Sequence, residues 1–356
     1  MPGAEIMDST DLHSAPTGHS AREAVSLEWR DPPGMVGLSL KILLFKILTL
    51  GLYHFWGKTE VRRRLWNGIR LNGQPFEYTG TGRELFLGFL IAAVLLFLPT
   101  MAYVIALAFV FGPDSRELDL FLLPLYVFFF FLTGVAIYRA MRYRLRRTRW
   151  RGIRGTLAGS PWRYGWTYFW TALTLPLTLG WSYPWRTVKL ARMMTGDTRF
   201  GDRAFSLDAH WKPLLGPFAL SWLSIAAFLA ALAGIAFAPL VAVPLAVVLF
   251  GVMIHAGLRY RAREMNYLTG RMRFDGARFS MSATPGSLFG LFVTNLLIVV
   301  LSLGILAPVA VMRMFRYMVT RMRIEGDVDF ASIAQATDTM GRTGEGLIEA
   351  LDIDSF

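Results

Sequence analysis

Apolar runs alternate with short basic segments along most of the chain. Each run has roughly 20 residues or more, enough for a helix to cross about 30 Å of hydrocarbon. The runs cover residues 35–56, 84–112, 118–138, 164–185, 213–236, 239–258 and 286–312. This pattern predicts a protein that enters the bilayer repeatedly.

The connections between the runs share a short motif, an arginine followed three residues later by glycine. Asn-Gly and Asp-Gly pairs within such a motif favour two-residue hairpin turns, because both turn positions need positive φ. A further strand of the same kind is expected at 25–29. The predicted hairpin turns lie at Gly73, Gly152, Gly201, where the turn residues are exchanged, Gly276 and Gly326.

The units between successive turns are alternately long and short. A long unit contains two apolar runs, and a short unit contains one run interrupted by Thr-Leu-Gly or Ser-Leu-Gly. The predicted helix breaks are at Gly51, Gly180 and Gly304. If all arginine-rich connections lie in the cytoplasm, as the positive-inside rule requires, the short units must dip into the membrane and return. The alternative, three full crossings, places one arginine cluster outside.

The fold predicted from these repeats is an all-α polytopic membrane protein. It has four full spans, three re-entrant or dipping segments and small cytoplasmic β-hairpins. The expected divisions are a disordered N-terminal arm at 1–23, a repeat-built membrane domain at 24–330 and an acidic C-terminal tail at 331–356.

Composition and charge agree with this interpretation. Only 17% of the 356 residues are charged, whereas about a quarter is typical of soluble domains. The net charge of +12 comes from basic segments beside apolar runs, which favours anionic membrane lipids as partners over nucleic acid. Association of identical copies is left open. The expected headgroup contacts are Arg62, Arg63, Arg64, Arg144, Arg147, Arg192, Arg261, Arg313 and Arg316.

Two paired elements give the chain a family resemblance. The first, Thr-Leu-Gly-x-Tyr-x-x-Trp, lies at 49–56 and, with its tyrosine one position later, at 178–185, and the second, Arg-x-x-Gly-x-x-Phe, lies at 70–76 and 273–279. Together they resemble the YjgN-like family of bacterial inner-membrane proteins over roughly 24–330. The last unit departs from the pattern, with Val309 where the others have Trp56 and Trp185. The resemblance implies a multi-pass protein of the bacterial inner membrane and no known activity.

Candidate chemistry is sparse. The sequence has no cysteine, HExxH, P-loop or GxSxG motif, so neither an enzyme nor a cofactor or metal is expected. Lys41 and Lys46 lie inside the first apolar run, where a charge costs about 3 kcal/mol. They either form an anion or lipid-phosphate site or snorkel to the headgroups. His54 and Asn295 complete the candidate site, with interfacial packing and helix–helix hydrogen bonding as their alternative roles.

These features lead to two functional hypotheses. The leading one is a transporter or channel for an unidentified solute, anionic or lipid-like, because discontinuous helices between internal repeats are typical of transporters. The alternative is a non-transporting scaffold that binds anionic lipid or organises the membrane. A polar-lined cavity containing Lys41 or Lys46 would favour the first hypothesis, and a closed apolar centre the second.

Overall fold

The computed structural model describes residues 23–112 and 115–333. A π-helical turn, Ala93–Phe97, joins α3 and α4 into one continuous helix. The helices are α1 (Met35–Leu48), α2 (His54–Gly68), α3 (Gly82–Ala92), α4 (Leu98–Phe111), α5 (Arg116–Arg146), α6 (Pro161–Leu177), α7 (Tyr183–Asp197), α8 (Lys212–Gly234), α9 (Pro239–Gly270), α10 (Pro285–Leu301) and α11 (Ala307–Arg321).

Four helices, of 23 to 32 residues, are long and apolar enough to cross a membrane: Gly82–Phe111, Arg116–Arg146, Lys212–Gly234 and Pro239–Gly270. At most 22% of the apolar window of each is buried within the protein. Large side chains such as Phe109, Phe237 and Leu240 are almost fully exposed. Such extended exposed apolar surface is expected of helices whose solvent is lipid.

Short strands separate the helices, and every strand pairing is antiparallel. The strands are β1 (Glu23–Ala24), β2 (Leu27–Trp29), β3 (Ile69–Leu71), β4 (Gln74–Pro75), β5 (Glu77–Tyr78), β6 (Thr148–Trp150), β7 (Ile153–Leu157), β8 (Thr198–Phe200), β9 (Arg203–Leu207), β10 (Met272–Phe274), β11 (Ala277–Met281), β12 (Met322–Glu325) and β13 (Asp327–Val328).

The strands follow one another in space in the order of the sequence. One sheet runs from β5 to β12, and a second contains β2, β3 and β4. The segment β4–β5 acts as one bent strand, because its first half pairs with β3 and its second half with β6. The two ends of the series meet, since β12 lies against β2 and β1 pairs with β13. We call this closed series the strand ring.

Successive strands of the ring are joined in two alternating ways. Tight turns join β3 to β4, β6 to β7, β8 to β9 and β10 to β11, whereas pairs of helices join β2 to β3, β5 to β6, β7 to β8, β9 to β10 and β11 to β12. Because adjacent strands are antiparallel, all helical connections leave and re-enter at one end, the helix end, and all tight turns lie at the other, the turn end. The short hairpins α1–α2, α6–α7 and α10–α11 therefore begin and end on the same side of the ring.

Side chains alternate between the two faces of the ring wall, as the two-residue period of a strand requires. Trp150, Phe274 and Val328 point inward and are buried in one apolar cluster. The chain after β13 folds back into this cluster, where Phe330 packs on Trp150 with ring centroids 4.8 Å apart and Ile333 is also buried. Residues 328–333 thus close the turn end, and we call them the plug.

Glu23 joins two turns at that end. Its carboxylate accepts hydrogen bonds from Asn72 Nδ2 at 3.1 Å and from Arg151 Nη1 at 3.1 and 3.2 Å. These hydrogen bonds hold the pKa of the Glu23 carboxyl below its usual range. The remaining residues of the predicted arm and tail, 1–22 and 334–356, lie outside the described part of the chain.

Several expectations are confirmed and others need correction. The protein is mostly helical with small sheets, and the four predicted spans are helices of spanning length. The description "all-α" is too narrow, because the hairpins join into a sheet of eight strands. Turns at Gly73, Gly152 and Gly201 have positive φ as expected.

The turns at Gly276 and Gly326 differ from the expectation. At Gly276 the positive φ belongs to Asp275, at +52°, and the glycine itself does not have one. A Cβ on Gly276 would lie 2.7 Å from the carbonyl oxygen of Asp327, so close approach explains this glycine. Gly326 is not a hairpin turn, because β12 and β13 pair with different strands. It turns the chain at φ +105° from the ring wall towards the plug.

Candidate functional site

The three short hairpins share one geometry at their predicted breaks. Each helix ends in a Leu-Gly pair with both residues at positive φ: +50° and +93° at Leu50-Gly51, +48° and +87° at Leu179-Gly180, and +50° and +82° at Leu303-Gly304. The glycine N–H donates to the carbonyl five residues earlier at 2.7 Å in each copy. Glycine accepts this left-handed conformation without a steric penalty.

The side-chain hydroxyl of the residue before the leucine also forms a hydrogen bond at each break. Thr49, Thr178 and Ser302 accept a hydrogen bond from the backbone N–H four residues later, at 2.9, 3.0 and 3.0 Å. The leucine of each pair projects outward, with Leu50, Leu179 and Leu303 exposed by 95%, 73% and 90%. We call these leucines the tips. Their repetition explains why Thr/Ser-Leu-Gly recurs in the sequence.

A cavity of about 560 Å³ lies between the first short hairpin and the last. Its walls are apolar and include Leu43 and Val61 on one side and Leu303, Val311 and Phe315 on the other. Cationic side chains line the same cavity. We call it the basic groove. Its volume falls within the range of roughly 300–1,000 Å³ found for small-molecule sites.

Three basic side chains of the groove follow one face of α2. His54, Lys58 and Arg62 occur at intervals of four residues, so their side chains lie one above another. Lys46 of α1 and Arg144 of α5 add to the same lining. None of the groove-lining residues is a carboxylate. Lys46, Lys58 and Arg144 form no ion pair within the described ranges, so their positive charge is available to a ligand.

The predicted candidate residues separate into two groups. Lys46 and His54 line the groove, but Lys41 instead pairs with Glu60 at 2.9 Å and is absent from the groove lining. Asn295 joins α10 to α11, since its Nδ2 donates to the Ala310 carbonyl at 3.2 Å and its Oδ1 accepts from Arg313 Nε at 3.0 Å. Lys58 was not a candidate, although its spacing from His54 and Arg62 could have identified it.

Most of the predicted headgroup arginines form contacts within the protein. Arg62 donates to Tyr78, Arg63 to the Gly80 carbonyl, Arg64 to the carbonyls of Pro33 and Gly34, Arg147 pairs with Glu84, Arg261 with Glu264, Arg313 binds Asn295 and Thr294, and Arg316 pairs with Asp31. Arg144 and Arg192 are exposed. These contacts occupy part of the hydrogen-bond donors of each guanidinium group.

A second set of arginines is placed by the repeat itself. The motif arginine is the second residue of the strand that follows a helix, and its neighbour in the strand points into the ring, so the arginine points outward. The set, which we call the arginine belt, contains Arg70, Arg149, Arg199, Arg273 and Arg323. Arg273 faces Arg278 across the β10–β11 pair, an unfavourable pairing of like charges.

Within the described residues, no group of three or more His, Asp or Glu side chains is arranged to hold a metal ion. The groove has the chemistry of an anion site with apolar walls. Four spanning-length helices with lipid-like surfaces, joined by basic segments, define the chain as an integral membrane protein.

The chain belongs to the family described as bacterial protein of unknown function (DUF898), which matches residues 36–350. The resemblance to YjgN-like proteins is consistent with that membership. No curated protein and no solved structure matches the chain.

Proposed function

We propose that the helix end of the strand ring lies at the cytoplasmic surface of the bacterial inner membrane. The four long helices then cross the bilayer, and the three short hairpins are re-entrant. Two observations support this placement. Each short hairpin starts and finishes at the same end of the ring, and α1, with 14 residues, reaches only about 21 Å of the roughly 30 Å hydrocarbon thickness. The arginine belt would then lie at the headgroups of the cytoplasmic leaflet.

Within this placement, we propose that the protein binds an anionic membrane lipid in the basic groove. The observation that carries the proposal is the combination of unpaired cations and apolar walls in one groove. Arg62 and Arg144 would hold a phosphate near the rim, because a guanidinium group offers two parallel donors to an oxyanion. The apolar wall formed by Val311 and Phe315 would contact an acyl chain. The proposal includes no chemical step and therefore no enzymatic activity.

The proposal separates Lys46 from Lys41. Lys41 is paired with Glu60 on the exposed surface, which fits the snorkelling explanation. Lys46 has no carboxylate partner in the described chain and faces the groove, where its charge costs least if an anion occupies the site. The two lysines lie on the same helix, so they form a matched pair for an experiment.

The test is lipid retention by three single variants, Lys46→Gln, Lys58→Gln and Lys41→Gln. Each full-length protein is reconstituted in nanodiscs with equal amounts of phosphatidylglycerol and phosphatidylcholine, extracted gently and analysed by native mass spectrometry. We expect the Lys46 and Lys58 variants to retain less phosphatidylglycerol, with Lys41→Gln resembling the wild type. Equal retention by all four proteins would contradict binding in the groove.

Movement of the bound lipid is a second candidate function. The row His54, Lys58 and Arg62 extends roughly 12 Å along α2 from the rim towards the tip, since a helix rises 1.5 Å per residue, and Lys58 and Arg62 carry its positive charge. A headgroup could follow this row into the bilayer. Fluorescent phosphatidylglycerol in proteoliposomes tests the idea. Transport requires the lipid to change leaflets faster with the wild-type protein than in protein-free vesicles, and more slowly with Lys58→Gln than with the wild type. Retention without exchange would leave binding alone as the function.

A further inference from the structure

The strand ring contains a second cavity, distinct from the basic groove. It has a volume of about 410 Å³ and is lined almost wholly by apolar side chains, among them Phe76, Phe200, Phe205, Phe279 and Ile324. Protein interiors normally pack as densely as organic crystals and leave few voids larger than a water molecule. An apolar void of this size at the centre of a closed ring of strands has the dimensions of a ligand site.

The cavity is closed at the turn end and reaches the helix end. Val328 and Phe330 of the plug form part of its lining. At the other end the lining consists of residues where helices meet strands: Trp66 in the last turn of α2, Leu145 in the last turn of α5, and Val319 and Met322 at the junction of α11 and β12. A ligand with access from the helix end would therefore come from the membrane side.

The chemistry of the lining excludes most ligands. A charged or strongly polar molecule would lose its hydration inside the ring without gaining hydrogen bonds. Arg199 is the only charged residue among the described residues that line the cavity, and its side chain is exposed on the outer face of the ring. The groove cations line the other cavity that Trp66 borders. A flexible hydrocarbon chain matches the aromatic and aliphatic lining.

We propose that the interior of the strand ring binds one hydrocarbon chain that enters from the membrane between Trp66, Leu145 and Val319. The inference rests on the membrane placement proposed above, but not on lipid binding in the groove. A free fatty acid and the acyl chain of a phospholipid offer the same chemistry to the ring. In both cases the polar end stays at the rim, where the arginine belt lies, and the chain replaces the void.

The test is photo-crosslinking of the full-length protein in nanodiscs. Two probes are used: palmitic acid with a diazirine at its terminal carbon, and phosphatidylglycerol with the same group at the end of one acyl chain. After irradiation and digestion, adducts on β9 and β11 report the ring interior, and adducts on the outward face of α9 report the surrounding bilayer. We expect ring adducts with at least one probe, and the probe that gives them identifies the source of the chain.

Two variants that add the same side chain to opposite faces of the ring provide the control. Thr198 lines the cavity. Ala204 pairs across β8 and β9 with Arg199, the residue that follows Thr198, so its exposed side chain points outward. Thr198→Phe should reduce ring adducts, measured relative to those on α9, by about tenfold, which corresponds to ~1.4 kcal/mol of binding free energy. Ala204→Phe should leave them unchanged. If Thr198→Phe does not fold, Val319→Phe fills the cavity at its mouth and replaces it.

Two results would overturn the inference. One is labelling confined to outward-facing helix positions with both probes, and the other is an equal response of Thr198→Phe and Ala204→Phe. Palmitic acid labelling in Lys58→Gln separates this inference from the proposed function. If ring adducts persist while phosphatidylglycerol retention is lost, the two sites are supported independently. If ring adducts are absent while retention is normal, only the proposed site inside the ring is contradicted.

Discussion

Trp66 donates a hydrogen bond from its indole Nε1 to the Thr148 hydroxyl at 2.8 Å, although the two residues are 82 positions apart in the sequence. The bond joins the end of α2 to the first residue of β6. It holds the indole ring at the boundary between the basic groove and the interior of the strand ring, both of which Trp66 lines.

Removing the acceptor of this bond should destabilise the protein measurably. Thr148→Val keeps the shape of the side chain but leaves the indole N–H without its partner, which costs about 1 kcal/mol or more. Thermal unfolding in detergent provides the measurement. The control is Thr320→Val, because the Thr320 hydroxyl contacts only carbonyls of its own helix. An equal loss of stability in the two variants would show that the Trp66 bond contributes nothing specific.

The tips provide a direct test of re-entrance. The chain has no cysteine, so single cysteines at Leu50, Leu179 and Leu303 can be probed with an impermeant maleimide in right-side-out and inverted vesicles. We expect no labelling of these positions from either side before denaturation, because the tips lie in hydrocarbon. Ser206→Cys should react only from the cytoplasmic side and Ser115→Cys only from the outside. A tip that reacts from the outside belongs to a hairpin that crosses the membrane.

The breaks in the short hairpins should tolerate no side chain at glycine. Gly180 has φ +87°, so Gly180→Ala should destabilise the protein by about 1 kcal/mol or more. Gly196, within α7, has an ordinary helical backbone and open space around its Cβ position. Gly196→Ala should therefore stabilise the helix, by up to about 1 kcal/mol. Thermal unfolding of the two variants measures the difference, and effects of the same sign would refute the backbone explanation.

Glu23 predicts a pH dependence. Its pKa is lowered in the folded protein by hydrogen bonds from Arg151 and Asn72, so its stabilising contribution is present above the unfolded-state pKa. The contribution is lost as the pH falls through the folded-state pKa, because the unfolded state then binds no more protons than the folded state. Wild type should unfold at a higher temperature than Glu23→Gln near neutral pH. The difference should shrink below about pH 4, and a constant difference would exclude the carboxylate as its source.

Much of the repeat could be predicted because its signals are local. The Leu-Gly breaks and the Asn72-Gly73 turn each depend on positive φ at two adjacent residues. The alternation of arginine with an inward aromatic residue, as in Arg199-Phe200 and Arg273-Phe274, is equally local, although it was not among the predicted features. These features need no knowledge of distant parts of the chain.

The features that could not be predicted depend on contacts between residues far apart in the sequence. Gly276 is constrained by the carbonyl of Asp327, about which the turn sequence contains no information. Closure of the ring pairs Glu23 with Val328, and no local pattern connects the two ends. The groove likewise combines Lys46, Lys58 and Arg144 from three helices. Of these features, only the four-residue spacing of His54, Lys58 and Arg62 on α2 is visible in the sequence.

The order of the ring has a consequence for how the protein is assembled during synthesis. Every strand from β3 to β12 follows its spatial neighbour along the chain, so a strand can pair as soon as it and the helices before it have left the ribosome. The outer edge of β2 has no neighbour until β12 has been made. An unpaired strand edge is a template for association with other chains. The outer edge of β2 is therefore protected late although β2 is made early, and chains that terminate before β12 would be the ones exposed to aggregation.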